Sequence, residues 1–506
     1  MVHRIISRRA CAISNGFHAG KIRSKSTVAQ RLSITASPQA TQIQVLDELK
    51  KHASKATERA YHEAPGENGV AILASKDFTN WLEDDSFMFA FLETLFKPSS
   101  AVRANRPSLH VLSGITDGLG PHRQSSEPRS GFSVLCGPTD NILPRLWVKE
   151  SFAGTSQDSA SSVSFTTKPL IGNTGALDIT LPLANTVFQN GRRSTLYASR
   201  WDINGEGSMT LRMRHPKTTQ LIVDNGDSKN YTSSMIPLLP LTPPRKIVAG
   251  LGNIVRQVEV DGSPTPASKE LETIIPEIFK ERARREPAYS PTPIGVWCWV
   301  IPPHLMEAKK FDNLQLFKAG CSQTETDIVL GSMKLFSELL SSGCRLHKIL
   351  SGGGGWGLKQ GLLSLDPETK FSLPGQDDDL EMFIRSFEER NSAEPSSGLA
   401  TPGSSLLFCV EPRMPDVETL SNQLSAPAKT TLAFGVAPNA DYAPSPSSRP
   451  EHIEIIDGHF GVSSAAGLFL RTTPEFPVKD GDSVGIGASR GSFATKVDVP
   501  GAYLHT

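Results

Sequence analysis

The stretch GVAILASKDFTNWLEDDSFMFAFLETL (residues 69–95) decides the fold class. Its opening GVAILAS is a continuous apolar run, which is typical of a buried strand. A helix is predicted next, because Asp77 or Thr79 can cap it and an apolar stripe begins at Trp81 and continues until Pro98 ends the pattern. A buried strand that leads into an amphipathic helix indicates an α/β (α+β) fold.

The same reasoning along the chain predicts mixed sheets with helices packed on them. Further strands are predicted at residues 109–115, 132–136, 209–213, 220–223, 294–301, 346–350 and 404–410, and helices at residues 44–59, 268–285 and 324–342. Asn190-Gly191 separates two runs of β-forming residues and predicts a type I′ hairpin turn. Residues 155–168 are rich in Ser and Thr and are predicted to be a flexible insertion. We therefore expect two sandwich-like halves with long polar insertions.

The composition is that of a globular protein without a global charge field. The chain has 506 residues, of which 52 are basic and 52 acidic, so nothing in the balance predicts binding to DNA. Its longest apolar stretches, such as residues 294–301, are far below the roughly 18 to 20 residues that cross a bilayer. Its six cysteines contain no CxxC pair, which argues against a disulfide framework and a Cys-based zinc site. No membrane span and no cofactor are predicted.

The N-terminal segment is basic and contains no acidic residue before Asp47. Arginines alternate there with Ile5, Ile6 and Ile13 at spacings that can form a basic amphipathic helix. The acid-free, Ser-containing composition is typical of a mitochondrial transit peptide, and a continuous apolar core of a secretory signal is absent. The sequence therefore predicts the mitochondrial matrix, and a disordered basic tail is the alternative.

Four segments follow from these patterns. They are a transit peptide at residues 1–26, a helical lead-in at residues 27–66, an N-terminal α/β half at residues 67–236 and a C-terminal α/β half at residues 237–506. The proline-dense PLLPLTPPR (residues 237–245) marks the junction between the halves, since proline removes backbone donors and fixes extended backbone.

After this junction, KIVAGLGNIVRQVEVDGSPTPASKELETI (residues 246–274) resembles the start of the C-terminal half of FIST proteins, the F-box and intracellular signal transduction family. In that family a strand with a Gly-Asn step precedes an alternating strand, an Asp-Gly turn with Pro, and a helix. The matching positions here are Gly252, Asn253, Val255, Val258, Val260, Asp261, Gly262, Pro266 and Ala267. The spacing departs by about two residues, because Thr265-Pro266 precedes Ala267.

Other segments are similar to the same family. The GITDG segment (residues 114–118) and the hairpin-rich residues 184–223 are similar to its N-terminal half, and SSLLFCV (residues 404–410) is similar to its late core strand. The resemblance implies a two-part α/β sensory module that binds small ligands such as amino acids, and it transfers no catalytic residue. The chain lacks a recognisable F-box and has insertions of its own.

The glycine-rich stretch LSGGGGWGLKQGLLSLD (residues 350–366) is the candidate ligand-binding loop. A nucleotide-binding P-loop needs Gly-Lys-Ser/Thr, whereas Gln360 follows the lysine here, and Gly361 with Asp366-Pro367 disfavours the helix that a Rossmann turn opens. A structural turn anchored by the tryptophan is one interpretation. The alternative is an anion nest that contacts a carboxylate or phosphate. Its residues would be Gly353, Gly354, Gly355, Trp356, Gly357 and Lys359.

Three further motifs favour structural roles. GASRG (residues 487–491) matches GxSxG, but an alternating strand pattern follows it and few residues remain to supply an acid and a histidine. The triple aspartate at residues 377–379 fits the N-terminus of a following helix better than a cation site. His452, Asp457 and His459 have no standard metal-ligand spacing.

The sequence thus predicts a soluble, non-enzymatic protein of the mitochondrial matrix with a FIST-like module for a small ligand, such as an amino acid or another anion. No catalytic and no metal-ligating residue is assigned. The alternatives are an enzyme whose site is assembled from distant positions and a gene-expression factor associated with RNA or the ribosome. Six tyrosines, six tryptophans and no RNP-like motif lower the RNA alternative without removing it.

Overall fold

A computed structural model describes residues 29–55, 68–96, 108–121, 129–148, 160–173, 175–203, 208–223, 231–308, 311–352, 361–371, 399–413, 431–438, 453–472 and 493–506. The helices are α1 (Gln42–Lys55), α2 (Thr79–Glu83), α3 (Asp85–Leu95), α4 (Thr139–Ile142), α5 (Val187–Asn190), α6 (Lys269–Arg285), α7 (Pro303–Ala308) and α8 (Glu325–Ser341). The strands are β1 (Gln30–Thr35), β2 (Asn68–Ser75), β3 (Ser108–Thr116), β4 (Gly131–Pro138), β5 (Ser162–Thr167), β6 (Leu177–Pro182), β7 (Leu196–Ile203), β8 (Met209–Pro216), β9 (Thr219–Val223), β10 (Ser233–Met235), β11 (Leu239–Pro240), β12 (Arg245–Leu251), β13 (Ile254–Val260), β14 (Ser263–Pro266), β15 (Val296–Ile301), β16 (Arg345–Gly352), β17 (Leu363–Leu365), β18 (Ser405–Val410), β19 (Thr431–Val436), β20 (Glu454–Asp457), β21 (His459–Ser464), β22 (Leu468–Thr472), β23 (Ala494–Val497) and β24 (Tyr503–His505).

One sheet has seven strands in the order β20-β1-β4-β2-β3-β7-β8. Its central strands β2 and β3 run parallel, with Asn68 opposite Leu109 and Ser75 opposite Thr116, and the other neighbours are antiparallel. Parallel neighbours need a crossover connection, and α2 and α3 supply it. Both strands are buried along almost their whole length, which explains their continuous apolar runs.

Helices α1 to α3 cover one face of this sheet around an aromatic cluster. Phe132 of β4 lies at its centre, with ring centroids 4.7 Å from Phe78, 5.6 Å from Phe91 and 5.9 Å from both Trp81 and Phe87. Such tilted and stacked aromatic contacts stabilise a core beyond the burial of area alone.

The opposite face packs against two smaller sheets, a four-stranded one in the order β10-β24-β19-β21 and a five-stranded one in the order β23-β22-β6-β5-β9. The three sheets share one apolar core. At its middle the ring of Phe165 in β5 lies 4.8 Å from Phe434 of β19 and 5.9 Å from Phe460 of β21.

A further sheet closes on itself, because β18 pairs with both β12 and β15. The ring runs through β15, β16, β17, β13, β12 and β18, while β11 and β14 are attached at its margin. Its strands alternate between the ring interior, where Cys298 and Phe408 lie, and the shared core, where Trp299 stacks on Phe336 of α8 at 5.8 Å. Helices α6 and α8 pack against the interior cluster.

The last strands of the chain lie beside strands from its first half. β20 pairs with β1 in the seven-stranded sheet, and β22 pairs with β6 in the five-stranded sheet. β24 pairs with β10, and it also pairs with β19 in the four-stranded sheet. The sheets are therefore assembled from segments that are distant in sequence.

The architecture is α+β with mixed sheets and packed helices, as the hydrophobic patterns predict. The strands predicted at residues 109–115, 132–136, 294–301 and 404–410 are confirmed, as are the helices predicted at residues 268–285 and 324–342. Thr324 caps α8 in a capping box with Asp327, and Gly343 follows the helix with a φ of 87°. Among the described helices, none is both long enough and apolar enough to cross a membrane.

In the N-terminal half, the helical structure predicted after residue 75 is confirmed but is not one continuous helix, and the predicted hairpin turn is wrong. The helix predicted after residue 75 is two helices that meet at Asp84, whose side chain accepts hydrogen bonds from the backbone of Ser86 and Phe87 and so caps α3. Asn190-Gly191 ends the helical turn α5, with Gly191 in the left-handed conformation, and does not close a hairpin. Long-range strand pairing explains why no hairpin forms here. The strands that flank the turn, β6 and β7, belong to different sheets and do not pair with each other.

Several strands were not predicted, and two of them lie in segments for which another structure was expected. Residues 162–167, within the segment expected to be a flexible insertion, form β5, whose Val163 and Phe165 are buried in the shared core. The lead-in at residues 27–66 holds the expected helix as α1, but β1 precedes it and lies between β20 and β4. Each strand contains only two apolar residues, Leu32 and Ile34 in β1 and Val163 and Phe165 in β5, so the alternating pattern is too short to stand out from the surrounding polar sequence.

Candidate functional site

The predicted ligand loop lies outside the described residues. This applies to Gly353, Gly354, Gly355, Trp356, Gly357 and Lys359, which all fall between Gly352 at the end of β16 and Gly361. The anion nest therefore stays a prediction. Where the described chain resumes, Gly361 has a φ of 82°, and a Cβ there would lie 2.6 Å from Cβ of Pro266.

A buried ion cluster lies next to the flanks of this loop, where β23 passes β16. Lys496 Nζ lies 2.5 Å from Glu368 Oε2, 3.4 Å from Asp366 Oδ2 and 4.0 Å from Asp498 Oδ2. Trp297 Nε1 donates a 2.7 Å hydrogen bond to Asp498 Oδ1. Side chains from the closed sheet and the five-stranded sheet are thereby joined.

In this cluster, burial and the neighbouring charges shift the pKa values of Lys496 and Asp498 in opposite directions. Burial alone would lower the pKa of Lys496, but its bond to Glu368 and the charges of the nearby aspartates raise it above its ordinary value. Burial raises the pKa of Asp498, against the bond from Trp297 and the charge of Lys496. Every member is paired within the protein, so the cluster is best explained as a structural contact between the two sheets.

A small cleft that opens to solvent, with an enclosed volume of about 10 Å³, lies on the other side of the shared core. Four segments line it: Leu119 and Pro121 after β3, residues 435–437 at the end of β19, Ser463 of β21, and residues 501–503 leading into β24. We call it the Ser463 cleft. It combines apolar walls with a few polar groups, as small-molecule sites do.

The GITDG segment positions one wall of the Ser463 cleft. Its last residues pair with β21, since the backbone N–H of Asp117 donates to Ser463 O at 3.1 Å and that of Ser463 donates to Gly118 O at 2.9 Å. The Asp117 carboxylate accepts from Ala465 N at 2.8 Å and pairs with Lys76 Nζ at 2.5 Å. These contacts hold the loop that carries Leu119 and Pro121 against the four-stranded sheet.

Glycines bring the backbones together at this wall. A Cβ at Gly120 would lie 2.6 Å from Ala433 O and 2.8 Å from Val462 N, so only glycine fits there without a shift of the backbone. A Cβ at Gly435 would lie 3.1 Å from Cδ of Pro121 and 3.4 Å from Cβ of Ser463. The side chain of Ser463 therefore lies on the cleft side of β21.

Ser463 carries the chemical signal of the cleft. Its side chain is 3% exposed, and its Oγ has no hydrogen-bond partner among the described residues. Leaving a buried hydroxyl unpaired costs about 1 to 3 kcal/mol. Buried polar groups are almost always paired, so an orphan hydroxyl beside an open cleft indicates a partner that the folded chain does not supply.

The second hydroxyl at the cleft belongs to Tyr503. Burial raises the pKa of this phenol to about 12, so it is neutral at physiological pH. Two residues further on, burial lowers the pKa of His505, which hydrogen-bonds to Ser233 Oγ at 2.8 Å through Nε2. The C-terminal strand thus presents uncharged groups.

The remaining motif residues do not form a site in the described part of the chain. GASRG at residues 487–491, the aspartates at residues 377–379 and His452 lie outside it. Asp457 pairs with His52 at 2.9 Å, whereas His459 is buried and bonds to Ser33 Oγ at 2.9 Å and to Pro121 O at 3.3 Å. Asp457 and His459 therefore make separate contacts and do not form a common site. Within the described ranges, no group of three or more His, Cys, Asp or Glu residues could hold a metal ion.

The buried cysteines are poor nucleophiles. Burial raises the pKa of the Cys136 thiol to about 12 and raises those of Cys298 and Cys409 as well. Reactive cysteines need a lowered pKa, so these side chains act as small apolar residues of the cores.

No family model, no curated protein and no solved structure matches this chain. The Ser463 cleft was not predicted from sequence, because its residues come from four distant segments without a common motif. The single local signal was GITDG, which ends immediately before the cleft wall.

Proposed function

We propose that the chain is a non-catalytic, small-ligand-binding module of the FIST-like type that acts in the mitochondrial matrix. The binding site of this proposal is the Ser463 cleft. Its ligand is a small molecule that reaches the buried hydroxyl of Ser463.

The orphan Oγ of Ser463 is the observation that carries the proposal. It combines near-complete burial with the lack of a hydrogen-bond partner among the described residues, at a cleft that is open to solvent. A bound ligand would regain the hydrogen bond that folding removes from water, and this gain would be specific to the cleft.

The lining favours binding over chemistry. A serine nucleophile needs a base within hydrogen-bond reach, and among the described residues that line the cleft there is no histidine, carboxylate or amine. His459, on the same strand as Ser463, uses both ring nitrogens in bonds to Ser33 and Pro121. A hydroxyl without a base recognises a ligand and does not attack it.

The location and the sensory role rest on sequence. The acid-free basic N-terminus supports import into the mitochondrial matrix, and the resemblance at residues 246–274 supports a sensory module. The alternatives remain a ribosome-associated gene-expression factor and an enzyme whose site includes residues outside the described part.

A thermal-shift screen of the full chain against amino acids, nucleotides and small neutral metabolites tests the proposal. We expect at least one compound to raise the Tm of the native chain, and the rise to disappear in Ser463→Ala. Import of a tagged chain into mitochondria followed by protease protection tests the location. A screen without any stabilising compound, together with co-purification on mitochondrial ribosomes, would overturn the proposal in favour of the gene-expression alternative.

A further inference from the structure

We infer that the Ser463 cleft selects a compact, uncharged ligand that carries an amide, carbonyl or hydroxyl group, and that it rejects amino acids, carboxylates and phosphates. This inference rests on the proposed function and narrows the chemical class of its ligand.

The first support is the lining, which offers no charge to a ligand. The described residues at the cleft are apolar side chains, glycines, one serine and one tyrosine. The nearest carboxylate along the chain, Asp117, is 9% exposed and is already paired with Lys76. An ionised ligand in this cleft would lose water without gaining a counter-charge, which is strongly unfavourable.

The second support is the backbone, whose donors are already used. The N–H of Val436 donates to Ala502 O at 2.8 Å, that of Gly501 to Val436 O at 3.1 Å, and that of Ala437 to Ser464 O at 3.1 Å. An anion nest needs several free N–H groups that converge on one point. The amides of these three residues therefore cannot bind a carboxylate or phosphate.

The third support is the chemistry of the remaining group. A serine hydroxyl both donates and accepts, so Ser463 Oγ can pair with a carbonyl, a hydroxyl or an amide N–H. One such bond together with contacts to Leu119, Pro121 and Val436 suits a molecule with one polar end and a short apolar body.

The size of the cleft limits the size of the ligand. The enclosed volume is about 10 Å³, room for a single water-sized group, so only the polar end of a ligand enters and its apolar body lies in the open part of the cleft. Gly435 forms part of the lining. Because it has no side chain, the space between Pro121 and Ser463 stays open. A methyl group at position 435 would occupy that space.

Three probes of nearly equal shape differ in charge. Isobutyramide is neutral, isobutyrate is negative and isobutylammonium is positive. Binding to the full chain is followed by amide chemical shifts of Gly435, Ser463 and Ala502. We expect isobutyramide to shift these signals with saturation, and each charged probe to bind at least about tenfold more weakly, a difference of about 1.4 kcal/mol. Ser463→Ala should weaken isobutyramide binding while leaving the fold intact, and Gly435→Ala should block it.

The outcomes separate the two proposals. Equal or tighter binding of a charged probe at these residues would overturn the inference and leave the ligand-binding function standing. If isobutyramide does not bind and the thermal-shift screen finds a charged compound, the inference is likewise overturned and the ligand-binding function stands. If no compound of any charge shifts the cleft signals or the Tm, and a crystal structure shows an ordered water only at Ser463 Oγ, the proposed function fails as well.

Discussion

Ser463 and Ser464 are neighbours on β21, yet within the described part of the chain only the Ser464 hydroxyl has a hydrogen-bond partner. Ser464 Oγ donates to Pro182 O at 2.9 Å, whereas Ser463 Oγ has no partner among the described residues. Successive side chains of a strand point to opposite sides, so the two serines meet different surroundings at equal burial.

We expect alanine substitution of these two serines to change the free energy of unfolding by different amounts. Ser464→Ala removes a buried hydrogen bond and should lower the free energy of unfolding by about 1 kcal/mol or more. Ser463→Ala removes an unpaired hydroxyl and should change it by less than about 0.5 kcal/mol, or raise it. Equilibrium urea unfolding of both variants without ligand measures the difference. Equal losses would mean that Ser463 Oγ has a structural partner, and the ligand proposal would lose its main support.

The ion cluster around Lys496 predicts a large effect of removing one charge. Lys496→Met leaves Asp366 and Asp498, whose side chains are 15% and 13% exposed, without their cation. Breaking a buried pair typically costs about 3 to 5 kcal/mol, and the half-exposed Glu368 brings our expectation to about 3 kcal/mol.

Lys51→Met is the matched control for this variant. Lys51 Nζ lies 2.6 Å from Glu48 Oε1, but its side chain is 63% exposed. An exposed pair within one helix is screened by water and contributes little, so urea unfolding should barely detect its loss. Similar costs for the two lysines would show that the Lys496 cluster is solvated in solution.

Glu281 predicts an acid-sensitive contribution to stability. Its carboxylate accepts hydrogen bonds from Arg284 and Arg285, which hold its pKa at about 2 instead of 4.5. Because the folded pKa lies below the unfolded one, this contribution is complete above about pH 4.5 and is lost as the pH falls through about 2. The shift corresponds to about 3 kcal/mol, and we expect about 2 kcal/mol because Arg284 is 62% exposed.

The measurement is the difference in unfolding free energy between the native chain and Glu281→Gln at several pH values from 6 to 2. The difference should shrink at the acid end. Glu286→Gln is the control, since Glu286 pairs with Arg413 at 2.6 Å but is 50% exposed. A Glu281→Gln difference that stays constant with pH would contradict the lowered pKa.

Two glycines with positive φ predict different tolerance to a side chain. Gly131 has a φ of 146°, and a Cβ there would overlap the carbonyl oxygen of Ile34 in β1. Gly191 has a φ of 76° and would place its Cβ in open space. Gly191→Ala should cost about 1 to 2 kcal/mol from backbone strain alone. Gly131→Ala should cost at least 3 kcal/mol, about the upper end of single-site effects, because β1 must also move. Comparable midpoints in thermal unfolding would contradict the close approach of β1 to β4.

Sequence patterns predicted the elements whose apolar residues form continuous runs or clear helical stripes. β2, β3, β15 and α8 belong to this group, because burial on both faces or a cap such as Thr324 leaves a strong local signal. β1 and β5 were missed, since each contains only two apolar residues. The turn at Asn190-Gly191 was misjudged, because strand pairing at a distance decides whether such a pair closes a hairpin.

The candidate site could not be found in the same way. Ser463 is one of many serines in the sequence, and only the fold shows that Pro121, Gly435 and Tyr503 surround it. An unpaired hydroxyl is a property of three-dimensional surroundings and leaves no trace in composition or spacing. GITDG pointed to the right region for another reason, since its Asp117 holds the loop that forms the wall.

The pairing of the last strands with the first has a consequence for the rate of folding. Ser33 on β1 bonds to the backbone of His459 across 426 positions of the chain. Contacts of such sequence separation slow folding, because a long loop must close before they stabilise anything. Until residues 454–505 arrive, β1 and β6 are paired on one side only, with β4 and β5, and β10 lacks its partner β24, so that open strand edges are exposed to aggregation. We therefore expect slow refolding from denaturant that a chaperone accelerates, and a chain shortened before β20 should remain in a partly folded state.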